Sequence, residues 1–166
     1  APAAEPGARE QVGWEPATDE GFRNVVRRGT EVVDADVAHS VHVQASGLEP
    51  SRWYWYRFTA GGEASATGRT RTAPAPGREE ALAFAIASCQ RYDDGHYAAW
   101  RHLADEAPDL VVFLGDYIYE SAPRKDRART HSGTGAAKTL DDYRARYAQY
   151  KSDADLRRIH ASAPWI

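Results

Sequence analysis

The chain has 166 residues and is 42% hydrophobic, enough for one ordinary domain or two small ones with cores of their own. A formal net charge of −3, with no long single-sign run, argues against nucleic acid as a partner. No window approaches the ~20 apolar residues of a membrane span.

The opening "APAAEPGA" suits the region after a small-residue signal cleavage site, and the sequence contains no Met. Secretion is therefore expected. Lys occurs only at positions 125, 138 and 151; the other basic residues are Arg, a bias of GC-rich bacterial genomes. "RNVVRRGTEVV" has β-branched character. "AHSVHVQASGL" alternates over Val41 and Val43 and stops at Ser46-Gly47. "EPSRWYWYRFTAGGEAS" reads as a turn, an aromatic strand and a Gly-Gly turn. "SATGRTRTAP" gives a last Thr-rich strand closed by Pro74. Short strands between turn signals predict a β-sandwich over 1–73. The Pro-rich stretch 74–81 predicts a linker.

The rhythm changes after the linker. "LAFAIAS" (82–88) is a continuous apolar run suited to a buried parallel strand. "YAAWRHLADEA" carries apolar residues at helical spacing and ends before Pro108. "LVVFL" (110–114) is the next buried strand, which completes a β-α-β unit. Residues 121–138, polar and basic, read as a surface loop. Thr139 can cap a helix with Asp142 three residues on, leaving Leu140, Tyr143, Tyr147 and Tyr150 as a packing face. Ser152 and Asp155 repeat the pattern before Leu156 and Ile159.

The chemistry gathers at two strand ends. Ligands of open α/β sheets bind beyond the carboxyl ends of the strands. Cys89 follows one strand and Asp116 the next, and Gly115 lets the backbone turn. Tyr119 lies three residues further on. Thiolate, carboxylate and phenolate are all anionic metal ligands, and such a set suits a transition metal. The single Cys89 has no internal disulfide partner, which gives a metal role more weight against that of an inert buried thiol. His39 and His42 sit three apart in a strand pattern and so point to opposite faces. They read as ordinary surface histidines, and His131 reads as part of the solvated basic loop.

"SCQ", then "GHYAAWRHLADEAPDLVVFLGDYIYE", then "LDDYRARYAQYKSDADLRRIHASAPWI" resembles the PhoD-type alkaline phosphatase/phosphodiesterase family. "GLEPSRWYWYRF…GRTRTAP" resembles that family's amino-terminal fibronectin-III-like domain. The nearest likeness within the family is to secreted actinomycete enzymes with phospholipase D activity. The resemblance implies an incomplete fibronectin-III-like β-sandwich (1–73), the linker, and the first βαβ portion of an α/β metallophosphoesterase domain (82–166). It implies Fe3+ and Ca2+ as cofactors. Cys89, Asp116 and Tyr119 match metal ligands, with Asp116 as the metal-bridging catalytic carboxylate. The implied activity is phospholipase D-type cleavage of a phospholipid diester, with transient contact at a membrane surface. The alternatives are alkaline phosphomonoesterase activity and, in another class, a secreted non-catalytic binding module. Two departures matter. The family's first sandwich strands are missing or replaced by "APAAEPGAREQ", and the family's later ligands, which follow the position of "APWI", are absent. The expectation is a piece of an enzyme, completed by a second polypeptide from the remainder of the same protein.

Overall fold

The computed structural model describes residues 9–166; the first part of "APAAEPGAREQ" lies outside them. The chain divides into two compact units, one through Glu80 and one from Ala81 to Ile166.

The first unit is built on an antiparallel sheet: β1 (Glu10–Ala17), β2 (Gly29–Val33), β3 (Trp53–Ala60), β4 (Glu63–Ala64) and β5 (Gly68–Arg71). The order is β2-β1-β3-β4, with β5 also on β3. The β3–β4 hairpin turns at Gly61 and Gly62, both at positive φ, as a tight hairpin loop requires. β1 is the strand that sequence patterning missed. Gly13 and Pro16 interrupt its alternation, yet both pair in the β1–β3 register, Gly13 with Thr59 and Pro16 with Tyr56. Its Glu15 sits opposite Arg57 in that register and accepts from Arg57 at 2.7 Å and Arg28 at 2.9 Å. The Glu15–Arg57 pair is a cross-strand charge pair of the kind that stabilises a sheet.

The strand expected around Val41 and Val43 is not formed. Residues 41–45 keep the alternating exposure of an extended chain but belong to no ladder. Val43, Ala45 and Leu48 instead line a cavity with Tyr54 and Tyr56 of β3, so apolar packing accounts for the alternation.

The second unit pairs β6 (Phe84–Ala87) and β7 (Leu110–Phe113) in parallel, linked through α1 (Ala98–Glu106). Trp165 bridges Val111 on the other side of β7, and Ile166 donates to the Val111 carbonyl at 3.0 Å. α2 (Leu140–Lys151) and α3 (Ala154–Ser162) follow. The core is Tyr97, Trp100, Ala104, Val111, Tyr150, Leu156, Ile159 and Ala163. The sheet is covered on one face only. Ala85 and Ala87 register with the core residue Val111 and with Phe113, which packs against the core, while Phe84 and Ile86 point away and are 55% and 62% exposed. The apolar run of β6 therefore corrects the expectation of a strand buried on both faces.

Thr139 and Asp142 form the expected capping box of α2. The α3 cap is Asp153, which accepts from the Asp155 and Leu156 amides; Ser152 closes α2 instead. The expected tyrosine face of α2 is also corrected. Leu140, Tyr143 and Tyr147 are exposed, and the helix buries Arg146 and Tyr150. Nor is the 121–138 segment simply a solvated loop. His131 is 2% exposed. Its Nε2 lies 3.1 Å from the Tyr150 hydroxyl and its Nδ1 3.2 Å from the Ser121 carbonyl. A carbonyl only accepts, so Nδ1 carries the proton and Tyr150 donates to Nε2.

Candidate metal centre

Parallel pairing brings the ends of β6 and β7 side by side. Leu114 donates to the Ala87 carbonyl at 2.8 Å, and Cys89 to the Gly115 carbonyl at 3.1 Å. Gly115 takes φ +129°, a backbone region open essentially to Gly. Cys89 and Asp116 follow at φ 57° and 56°. Left-handed conformations cost a non-Gly residue on the order of 1–2 kcal/mol, and they collect where function holds a side chain in place.

The two turns bring the three expected ligands together. Tyr119 donates from its hydroxyl to Asp116 Oδ2 at 3.0 Å, and Cys89 Sγ lies 3.6 Å from the same oxygen. The Cys89 thiol is exposed, as is Asp116, while Tyr119 is half-buried. The Cys89 thiol is thus not buried among the described residues. Burial first, then the neighbouring Cys89 and Asp116, push the Tyr119 phenol well above its ordinary range. Three groups that can each carry a negative charge converge on one point, and a bound cation is what would let them ionise together. Among the described residues no group of three or more His, Cys, Asp and Glu side chains could hold a metal; a tyrosine completes this set.

The surrounding residues hold that point, and sequence patterning assigned none of them a role. Gln90 is buried, and its side chain reaches the carbonyl of Tyr117, next to Asp116. Arg146, from α2, donates to the carbonyls of Tyr119 at 2.6 Å and Ser121 at 3.1 Å. Arg91 lies 5.0 Å over the Tyr119 ring and donates to the fully buried Asp93 at 2.8 Å. Asp93 also accepts from Arg124 at 3.1 Å. Burial alone would raise the Asp93 carboxyl; Arg124 and Arg91 outweigh it and hold the group below the usual carboxylate range. The only sequence signal for this layer is the basic composition of 121–138 facing the "YDD" of 92–94. A cavity of about 620 Å³ opens beside Cys89 along β6 and the start of α1, with Gln90, Arg91, His96 and Trp100 in its wall. His39 and His42 are exposed and lie in the first unit.

Residues 84–166 match the PhoD-like phosphatase family, and residues 1–74 match the PhoD-like phosphatase, N-terminal domain. The chain is 51% identical over 161 residues to alkaline phosphatase D of Bacillus subtilis (strain 168), covering 93% of this chain and 27% of that protein. A solved structure described as the structure of PhoD superposes with a TM-score of 0.92 at 50% identity, over 97% of this chain and 32% of that one. The chain thus spans between a quarter and a third of the length of these relatives.

Proposed function

The chain belongs to the PhoD-like phosphatase family, and from that premise we propose that it supplies part of the metal centre of a metal-dependent phosphoester hydrolase. The observation that carries the proposal is the convergence of Cys89 and Tyr119 on one oxygen of Asp116. The donor set fits a trivalent transition metal beside a harder ion. Asp116 has two oxygens and can bridge, while Cys89 and Tyr119 are soft and phenolic donors suited to ferric iron. Calcium would take oxygen ligands only. When bound, such ions would supply Lewis acidity toward a phosphoryl oxygen and lower the pKa of a water. The chain's own contribution is to hold the donors. Gly115 and the two left-handed residues aim Cys89 and Asp116, and Arg146 fixes the backbone of Tyr119. The Arg91 guanidinium over the tyrosine ring adds positive charge where a phosphate would approach.

Two substrate readings follow. A phosphomonoester is favoured by the relative named alkaline phosphatase D. A phospholipid diester, cleaved in the phospholipase D manner at a membrane surface, rests on the sequence resemblance alone. A fibronectin-III-like first unit, an extracellular location and completion of the domain by the rest of a longer protein belong to the same proposal. The shares of 27% and 32% of the relatives' length support that last element, as does the bare face of β6.

The test uses the full-length enzyme. Asp116→Ala is expected to lower turnover by at least about 100-fold, since losing groups behind a metal ligand already costs 10–100-fold. Tyr119→Phe should abolish the visible absorption of a ferric–phenolate pair. Unchanged turnover in the first variant would sink the reading. Relative rates on an aryl phosphate and on phosphatidylcholine separate the two substrates. No rate on either, with no iron in the protein, would leave a binding module.

A further inference from the structure

Gln90 stands between the two ligand-bearing turns. It is 7% exposed, and all its side-chain polar atoms face protein groups. Nε2 lies 3.1 Å from the Tyr117 carbonyl. Oε1 lies 3.1 Å from the Trp100 indole nitrogen. Its own carbonyl accepts from the Tyr97 hydroxyl at 2.7 Å. The amide orientation is fixed by chemistry, because a carbonyl can only accept and an indole N–H can only donate. No other orientation satisfies both.

The bond to Tyr117 has a consequence for the site. Gln90 follows Cys89, and Tyr117 follows Asp116. One amide therefore ties together the residues next to the two left-handed ligands, across the gap between β6 and β7. Strained backbone persists only where the surroundings over-determine it. Beyond the end of the β6–β7 ladder, two cross-links join these turns, the Cys89 amide to the Gly115 carbonyl and Gln90 to Tyr117. Tyr97, the cap of α1, donates to the Gln90 carbonyl and Trp100 to its amide oxygen, but only the bond to Tyr117 reaches the second ligand-bearing turn.

We infer that Gln90 is a positioning residue for the metal centre: its amide sets the separation of Cys89 and Asp116. This rests on the proposed metal centre. The side-chain hydrogen bonds of Gln90 go to Tyr117 and Trp100, so it acts on the ligands through the backbone that carries them. Freed of the clamp, each turn can relax toward ordinary backbone angles and swing its ligand away.

Two variants of the full-length enzyme separate positioning from plain structural support. Gln90→Glu keeps an acceptor for Trp100 and, ionised at alkaline pH, offers no donor to Tyr117. Trp100→Phe loses the indole bond and keeps the Tyr117 bond. Trp100→Phe also loses ring packing against Phe113 and Trp165, so it should lower the melting temperature at least as much as Gln90→Glu. Iron and calcium per chain are then measured by elemental analysis after dialysis against a graded chelator. Gln90→Glu should weaken iron retention about 10- to 100-fold, the cost of losing a group that orients a metal ligand, while Trp100→Phe should hold iron as the parent does. Equal iron retention in both variants, with both melting lower, would overturn the inference and leave Gln90 as core structure. Should Gln90→Glu not fold, Gln90→Met takes its place; if neither folds, the residue is structural and the inference falls. Asp116→Ala is the reference. If it loses iron and Gln90→Glu does not, only the positioning role fails. If Asp116→Ala retains iron, or the parent holds none, the metal centre fails and takes this inference with it.

Discussion

Cys89 and Asp116 occupy backbone conformations that a glycine would adopt without penalty. A sequence selected for stability alone would place Gly at one or both. Replacement of Asp116 by Gly in the metal-free protein should therefore leave stability unchanged or raise it by about 1 kcal/mol, the order of the left-handed penalty. The same change should abolish iron binding in the full-length enzyme. Differential scanning calorimetry and elemental analysis of one preparation check both halves. A clear loss of stability would mean that the carboxylate contributes to the fold through its tyrosine bond, and the strain would then have no functional explanation. Asp116→Ala makes the contrast, because Ala keeps the backbone penalty and loses the side chain.

The elements that carry the site were readable to different depths. The β-α-β unit was legible from its apolar runs and from Pro108, and so was the grouping of Cys89, Asp116 and Tyr119, because parallel pairing puts successive strand ends together. The second layer was not. His131, Arg129 and Arg146 sit in sequence contexts that read as solvated, and nothing local reveals that Tyr150, Asp153 and the carbonyls of Tyr92, Tyr119 and Ser121 supply their partners. Arg146 shows this most clearly: at 3% exposure it is a core residue because its donors find the Tyr119 and Ser121 carbonyls. β1 was hidden by Gly13 and Pro16, and the Val41–Val43 alternation misled because packing without a ladder gives the same period. α3 adds a titration that only the packing reveals. His160 stacks on Trp165 with ring centroids 3.8 Å apart, and its Nε2 meets the Tyr117 hydroxyl at 2.7 Å. Burial, then the Lys151 charge, push it down to about 3. A histidine depressed in the folded state stabilises fully above its unfolded value of about 6.5, and that stability drains away as pH falls from there toward 3. The melting temperature should drop between pH 7 and 4, and His160→Phe should flatten that slope while keeping the stack on Trp165. An unaltered slope in the variant would assign the acid sensitivity elsewhere.

At the scale of the whole molecule, the two faces of the β6–β7 sheet are treated differently. One face packs Val111, which has no exposed surface, against Trp100, Leu156 and Ile159. The other shows Phe84, Ile86 and Leu114 to solvent, at 55%, 62% and 69% exposure. Parallel strands are ordinarily covered on both faces, and adjacent exposed apolar side chains mark a surface meant for contact. The shares of the relatives' length that this chain spans point to the rest of a longer protein as the cover. Ile86→Ser discriminates. In the 166-residue chain it should leave the unfolding midpoint in place and reduce binding of an apolar dye, because no packing is lost. In the full-length enzyme the same change should cost about 1.5–3 kcal/mol, the worth of burying such a side chain. Equal effects in both proteins would mean that the face stays open in the whole enzyme, and the cavity beside Cys89 along the same strand would then open to solvent rather than to an enclosed substrate pocket.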